Sequence, residues 1–163
     1  VRVPISPEAL ALENRSIGVH GEPTLGAAYA LLRDQWRAGE RDRELALHLG
    51  FLAWYLNTEP PHLTGAGVPS DELSKLAAEV HDWLLPDGAA SLDVEALYVI
   101  GIGAGMFAWA FGDEPLWEAR SEAYGRRYRQ LCPDGIPADV FANRGAYGSY
   151  YENRAKRDDS WFG

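Results

Sequence analysis

Gly50-Phe51-Leu52-Ala53-Trp54-Tyr55-Leu56-Asn57-Thr58-Glu59-Pro60 and Gly105-Met106-Phe107-Ala108-Trp109-Ala110-Phe111-Gly112-Asp113-Glu114-Pro115 are written to one plan. The glycine, the Ala-Trp pair and the Glu-Pro pair recur in register, 55 positions apart. Downstream, Leu84-Leu85-Pro86-Asp87-Gly88 recurs as Leu131-Cys132-Pro133-Asp134-Gly135, 47 positions on. Each copy is an apolar segment, an acidic-proline break, a second segment and a Pro-Asp-Gly stop. Self-similarity of this length points to repeated helical hairpins. Trp54 and Trp109, at matched positions in the two most apolar segments, are then expected at equivalent depths in the core.

The segments around these stretches carry helical signals. Leu45 to Leu56 holds one polar side chain, His48, so residues 40–57 read as a helix buried on most sides. Pro60-Pro61 ends it, because the residue before a proline is pushed out of the α region. Upstream, Leu25, Ala28, Tyr29, Leu32 and Trp36 fall at helical spacing over residues 23–38, with Gly39 at the C-terminal stop. Ser70 reads as the N-cap of a half-exposed helix, followed by Asp71 and Glu72 in its first turn. Ser91 reads as the cap of a core helix over residues 92–111, and Asp113 or Gly112 as the start of the next, with Pro115 in its first turn. Residues 137–143 suggest a short sixth helix. No alternating run bounded by turn signals suggests a strand. The expected fold is all-α: an antiparallel bundle of helical-hairpin repeats with about six helices and no significant sheet. Its parts are an extended N-terminal arm (residues 1–21, with a turn of helix near Pro7 to Glu13), a helical domain (22–143) and a C-terminal tail or docking helix (144–163). The domain contains the duplicated spans 41–88 and 94–135.

A chain of 163 residues with 47% apolar and 24% charged residues is expected to bury one real core. Its net charge of −9 argues against binding phosphate backbones, so no nucleic-acid partner is expected. The uncharged apolar stretch over residues 96–111 is shorter than the roughly 20 needed to span a bilayer, and no membrane partner is expected. The single cysteine, Cys132, permits no internal disulfide and fits a cytoplasmic setting, as does the absence of a signal-peptide pattern over residues 1–13.

Few motifs carry chemistry. Gly101-Ile102-Gly103-Ala104-Gly105 lacks the strand and spacing of a dinucleotide fingerprint, so Gly101 and Gly105 are read as a face that admits a neighbouring helix closely. Glu44 and His48, four apart, share a helical face as metal ligands can, but neither HExxH nor paired CxxC occurs. A His48 bonded within the core is the plainer reading. No GxSxG motif is present, and Cys132, between Leu131 and Pro133, has no local histidine. Glu59 and Glu114 read as acids at helix boundaries rather than as a catalytic pair. In the tail, Arg144, Tyr147, Tyr150, Tyr151 and Arg154 mix aromatic and cationic groups, which interfaces favour. Their three-to-four spacing equally suits a docking helix.

With no catalytic residue, cofactor or metal site assigned, the expected function is a non-catalytic acidic helical protein-binding module of adaptor, inhibitor or immunity type. The partner would be another protein, in keeping with the charge a basic one, and a homodimer is also allowed. The ligand or interface candidates are Glu44, His48, Arg144, Tyr147 and Tyr151. The alternative is a small-molecule or metal-dependent enzyme with a site between helices near Glu44 and His48.

Overall fold

The computed structural model describes residues 5–157, and every regular element among them is helical. Among the described residues there are eight α-helices: α1 (Pro7–Arg15), α2 (Leu25–Arg37), α3 (Arg43–Thr58), α4 (Pro61–Thr64), α5 (Ser70–Leu84), α6 (Val94–Met106), α7 (Glu114–Leu131) and α8 (Gly145–Lys156). Single 3₁₀ turns lie at Gly88–Ala90, Ala108–Phe111 and Ala138–Phe141. The all-α expectation holds. The count exceeds six because the expected N-terminal arm contains α1, the loop after Pro60 opens with α4 and the expected tail contains α8. The expected helix over 137–143 is only a 3₁₀ turn.

Aspartates set the main helix starts. Asp42, Asp93 and Asp113 each accept a hydrogen bond from a backbone N–H in the first turn, satisfying donors that the helix itself leaves orphaned. The expected serine caps shift accordingly. Pro69 precedes α5, and Ser70 Oγ instead donates to Asn57 Oδ1 at 2.7 Å. Ser91 Oγ accepts from the N–H of Asp93, the true cap of α6, at 3.0 Å.

α3 packs chiefly on α5, and α6 chiefly on α7. α3 and α6 run in the same direction. Arg43 meets Asp93 at their N-terminal ends, and the Trp54 indole N–H donates to the Gly103 carbonyl at 3.1 Å toward their C-terminal ends. Leu47, Leu49 and Leu52 on α3 and Leu97, Ile100 and Ile102 on α6 are all fully buried in the core. α1 and α2 close one side, and α8 docks on α3, α1 and the Ala138–Phe141 turn. Residues 158–163, the end of the expected tail, lie outside the described residues.

The two copies do not reach equivalent depth. Trp54 lies inside α3 and is 2% exposed, whereas Trp109 lies on a 3₁₀ turn and is 43% exposed. The helix expected to reach Phe111 stops at Met106. Its last two turns hold Gly101, Gly103 and Gly105, which weaken a helix by about 1 kcal/mol each relative to alanine. Gly112 then turns the chain at φ +104°, a region that side-chain-bearing residues avoid. The close-approach reading of the glycines also shifts. Gly103, not Gly105, rests against Trp54 and Phe111, while Gly105 is exposed.

Candidate functional site

The core contains a polar cluster joining four helices. α3 contributes Glu44 and His48, one turn apart. The apolar face of α1 brings Glu13, fully buried, to His48 Nδ1 at 2.7 Å. On the other side of the ring, His48 Nε2 lies 2.9 Å from Glu44 Oε1. Arg144, at the start of α8, forks onto Glu44 with Nε at 2.9 Å and Nη2 at 2.7 Å. Its Nη2 also lies 2.8 Å from Glu95 Oε2 on α6, and its Nη1 donates to the Val140 carbonyl at 3.1 Å. The Tyr147 hydroxyl donates to Glu95 at 2.5 Å, and its backbone N–H donates to the second oxygen of Glu13 at 3.2 Å. Gly145 makes this entry feasible: at φ +67°, a Cβ there would lie 2.7 Å from Glu13 Oε1. Arg43 extends the cluster outward, forked on Asp93 and 3.6 Å from Glu95.

The electrostatics follow from burial opposed by partners. Desolvation alone would lower the pKa of His48. Two facing carboxylates, Glu13 and Glu44, outweigh it and raise the value to about 9. His48 is therefore an imidazolium at neutral pH, donating from both nitrogens. Burial would raise the Glu44 carboxyl, but hydrogen bonds from His48 and Arg144 hold it well below the usual carboxylate range. The Tyr147 hydroxyl is pushed well above its ordinary value by burial and by Glu95. Four carboxylates (Glu13, Glu44, Glu95, Asp93) thus meet three cations (His48, Arg144, Arg43).

Of the five residues singled out by sequence, Glu44, His48, Arg144 and Tyr147 come into direct contact. Tyr151 lies one turn further along α8, its ring 5.2 Å from Tyr147 and its hydroxyl donating to the Val99 carbonyl at 3.4 Å. Tyr147 and Tyr151 are 0% and 3% exposed, which removes them as surface contacts. Glu13 and Glu95 escaped the sequence reading. The signal for Glu13 was an acid one turn from Ala9 on the buried face of a short helix; for Glu95, an acid leading into the most apolar segment. Glu59 caps the C-terminus of α3 and Glu114 opens α7, both at boundaries as read and neither in the cluster.

Chemically, the cluster is closed on itself. Both imidazole nitrogens, all three guanidinium nitrogens of Arg144 and the Tyr147 hydroxyl are engaged in hydrogen bonds. The cavity near it is about 10 Å³, room for a single water, and is lined largely by Leu47, Phe51, Trp54 and Phe111. Its polar edge is His81, whose Nδ1 has no hydrogen-bond partner and whose pKa is driven down to about 3 by burial. Among the described residues no group of three or more His, Cys, Asp or Glu is disposed to hold a metal ion.

The surface offers more room. A groove of about 500 Å³ runs between the end of α5 and α7, lined by Leu85, Ala89, Leu116, Ala119, Ala123 and Tyr124. Arg120 spans it to Asp82 at 2.9 Å. A second groove of about 380 Å³, between α2 and α5, has charged walls that include Arg37, Arg41, Glu72 and Lys75. No single helix among the described residues is long and apolar enough to cross a membrane. No protein-family model, curated protein or solved structure matches the chain.

Proposed function

We propose that this chain is a non-catalytic, acidic helical module that binds another protein, as an adaptor, inhibitor or immunity-type protein of the cytoplasm. The observation that carries the reading is the open, apolar groove between α5 and α7, the kind of surface in which protein segments dock. Leu116 on its wall is 42% exposed, and Ala89, Ala119 and Ala123 leave the floor shallow and accessible. The polar cluster supports the same reading by its closure, since its hydrogen-bonding capacity is spent on joining α1 and α8 to α3 and α6. That weighs against the enzyme alternative at Glu44 and His48. A lone half-buried cysteine, Cys132, is compatible with a reducing compartment.

The test is native size-exclusion chromatography of the chain from its source, at micromolar concentration, with mass analysis of each fraction. A stoichiometric complex with a second, different protein is the expected result. A chain that elutes alone at its monomer mass, with no heteromer at any salt concentration, refutes the module reading.

A further inference from the structure

His81, in the last turn of α5, is 6% exposed, and its Nδ1 has no hydrogen-bond partner. The ring is wedged among aromatic faces and bare backbone. Its centroid lies 4.9 Å from Phe111 and 6.3 Å from Trp117, and those two rings stack on each other at 4.5 Å. Nε2 faces α3 at Gly50, where a Cβ would come within 2.5 Å of it. α5 packs chiefly on α3 and then on the Ala108–Phe111 turn, so the ring sits where both contacts meet.

A neutral imidazole has one N–H and one bare nitrogen, whereas an imidazolium donates from both. No acceptor faces the second proton here. The cavity beside the ring, room for one water, has no carboxylate in its lining. Its other titratable members are Tyr147 and Tyr151 of α8, whose hydroxyls burial keeps neutral. α6 presents Val99 and Gly103, and the Ala108–Phe111 turn presents Phe111. On α3, His48 is a cation already held between Glu13 and Glu44. α7 brings the Trp117 ring, with a further cation, Arg120, over it at 4.5 Å. On α5 itself, Glu79 meets the Trp36 indole N–H and Asp82 is paired with Arg120. A proton on His81 is therefore a buried charge without a counter-ion, which the folded state resists.

We propose that His81 is an acid-sensitive latch: the packing of α5 on α3 tolerates only the neutral ring, and mild acid loosens the bundle through this one side chain. Asp82 and Leu85, one wall of the α5–α7 groove, follow directly on His81, so the same proton weakens that surface.

Burial pushes the His81 pKa from 6.5 down to about 3. Between those values the unfolded chain binds a proton that the folded chain refuses, so stability falls as pH falls, the opposite sense to His48. The contribution of His48 is already complete below pH 6.5, and that of Glu44 is lost only below pH 4.5, which leaves a window for His81 between them.

The test is urea unfolding, followed by tryptophan fluorescence, of the wild type, His81→Leu and His81→Gln at pH 6.0 and 4.5. The glutamine keeps a polar group and serves if the leucine variant does not fold. Relative to either variant, the unfolding constant of the wild type is expected to rise about 20-fold between the two pH values. The His81 ring, followed by its carbon–proton NMR resonances, is expected not to titrate in the folded protein down to pH 4.5. A wild-type pH profile within about threefold of both variants overturns the proposal. So does a His81 ring that takes up its proton near pH 6 with the fold intact.

Discussion

Replacing His48 tests whether the polar cluster holds the bundle together. His48→Leu removes the cation between Glu13 and Glu44. Glu44 keeps Arg144, but Glu13, fully buried, is left with the Tyr147 N–H as its remaining hydrogen bond. Stripping one partner from a buried ion pair typically costs about 3–5 kcal/mol, because the other charge stays desolvated and uncompensated. An independent figure comes from His48 itself. A pKa raised from 6.5 to about 9 corresponds to about 3 kcal/mol of preference for the folded imidazolium. Because the folded state holds the proton more tightly, this stability is fully present below pH 6.5. It fades as pH rises and is gone above about 9. Glu44, held low, has the opposite sense: its contribution is present above pH 4.5 and is lost on acidification. The assay is urea unfolding followed by tryptophan fluorescence. His48→Leu should lower the unfolding free energy by about 3–5 kcal/mol at pH 6.5. The doubly neutral E13Q/H48Q, whose amides can still pair, should recover part of that loss and serves if the single variant does not fold. The gap between wild type and the double variant should shrink by about 3 kcal/mol between pH 6 and 9.5. A single-variant cost below about 1 kcal/mol, or a gap that does not change with pH, refutes the argument.

Two further contrasts probe the packing. A Cβ at Gly50 would lie 2.5 Å from His81 Nε2 on a buried ring, whereas one at Gly103 would meet Phe111 and Trp54 no closer than 3.4 Å. Thermal unfolding should therefore show Gly50→Ala costing about 1–3 kcal/mol and Gly103→Ala neutral or stabilising by up to about 1 kcal/mol; the reverse order would contradict the structure. Trp54→Ala removes a 2%-exposed indole and its bond to Gly103, and should cost about 3–5 kcal/mol in chemical denaturation. Trp109→Ala, at 43% exposure, should cost about 1 kcal/mol or less, and equal losses at the two sites would restore the matched-depth reading.

Much of the site was legible because helical spacing is local information. Glu44 and His48 face one way because they are four residues apart on a largely apolar helix. The tail spacing from Tyr147 to Tyr151 marked a docking helix, and α8 is one. The acid partners were not legible. Glu13 lies 35 positions before His48, and Glu95 lies 52 before Tyr147. No pattern along the chain encodes a contact between segments so far apart. The duplicated Ala-Trp pairs misled for a related reason. Identical letters were read as identical depth, but three glycines and a turn at Gly112 end α6 before Trp109 is reached.

Composition and periodicity alone therefore decided the helical class and the positions of the long helices α2, α3, α5 and α7, since these depend on neighbours within a turn or two. Only tertiary structure decided that His48 is held between Glu13 and Glu44, and that an open groove separates α5 from α7. A histidine's proton affinity and a groove's shape are set by whatever folding brings alongside, and those groups come from distant parts of the chain.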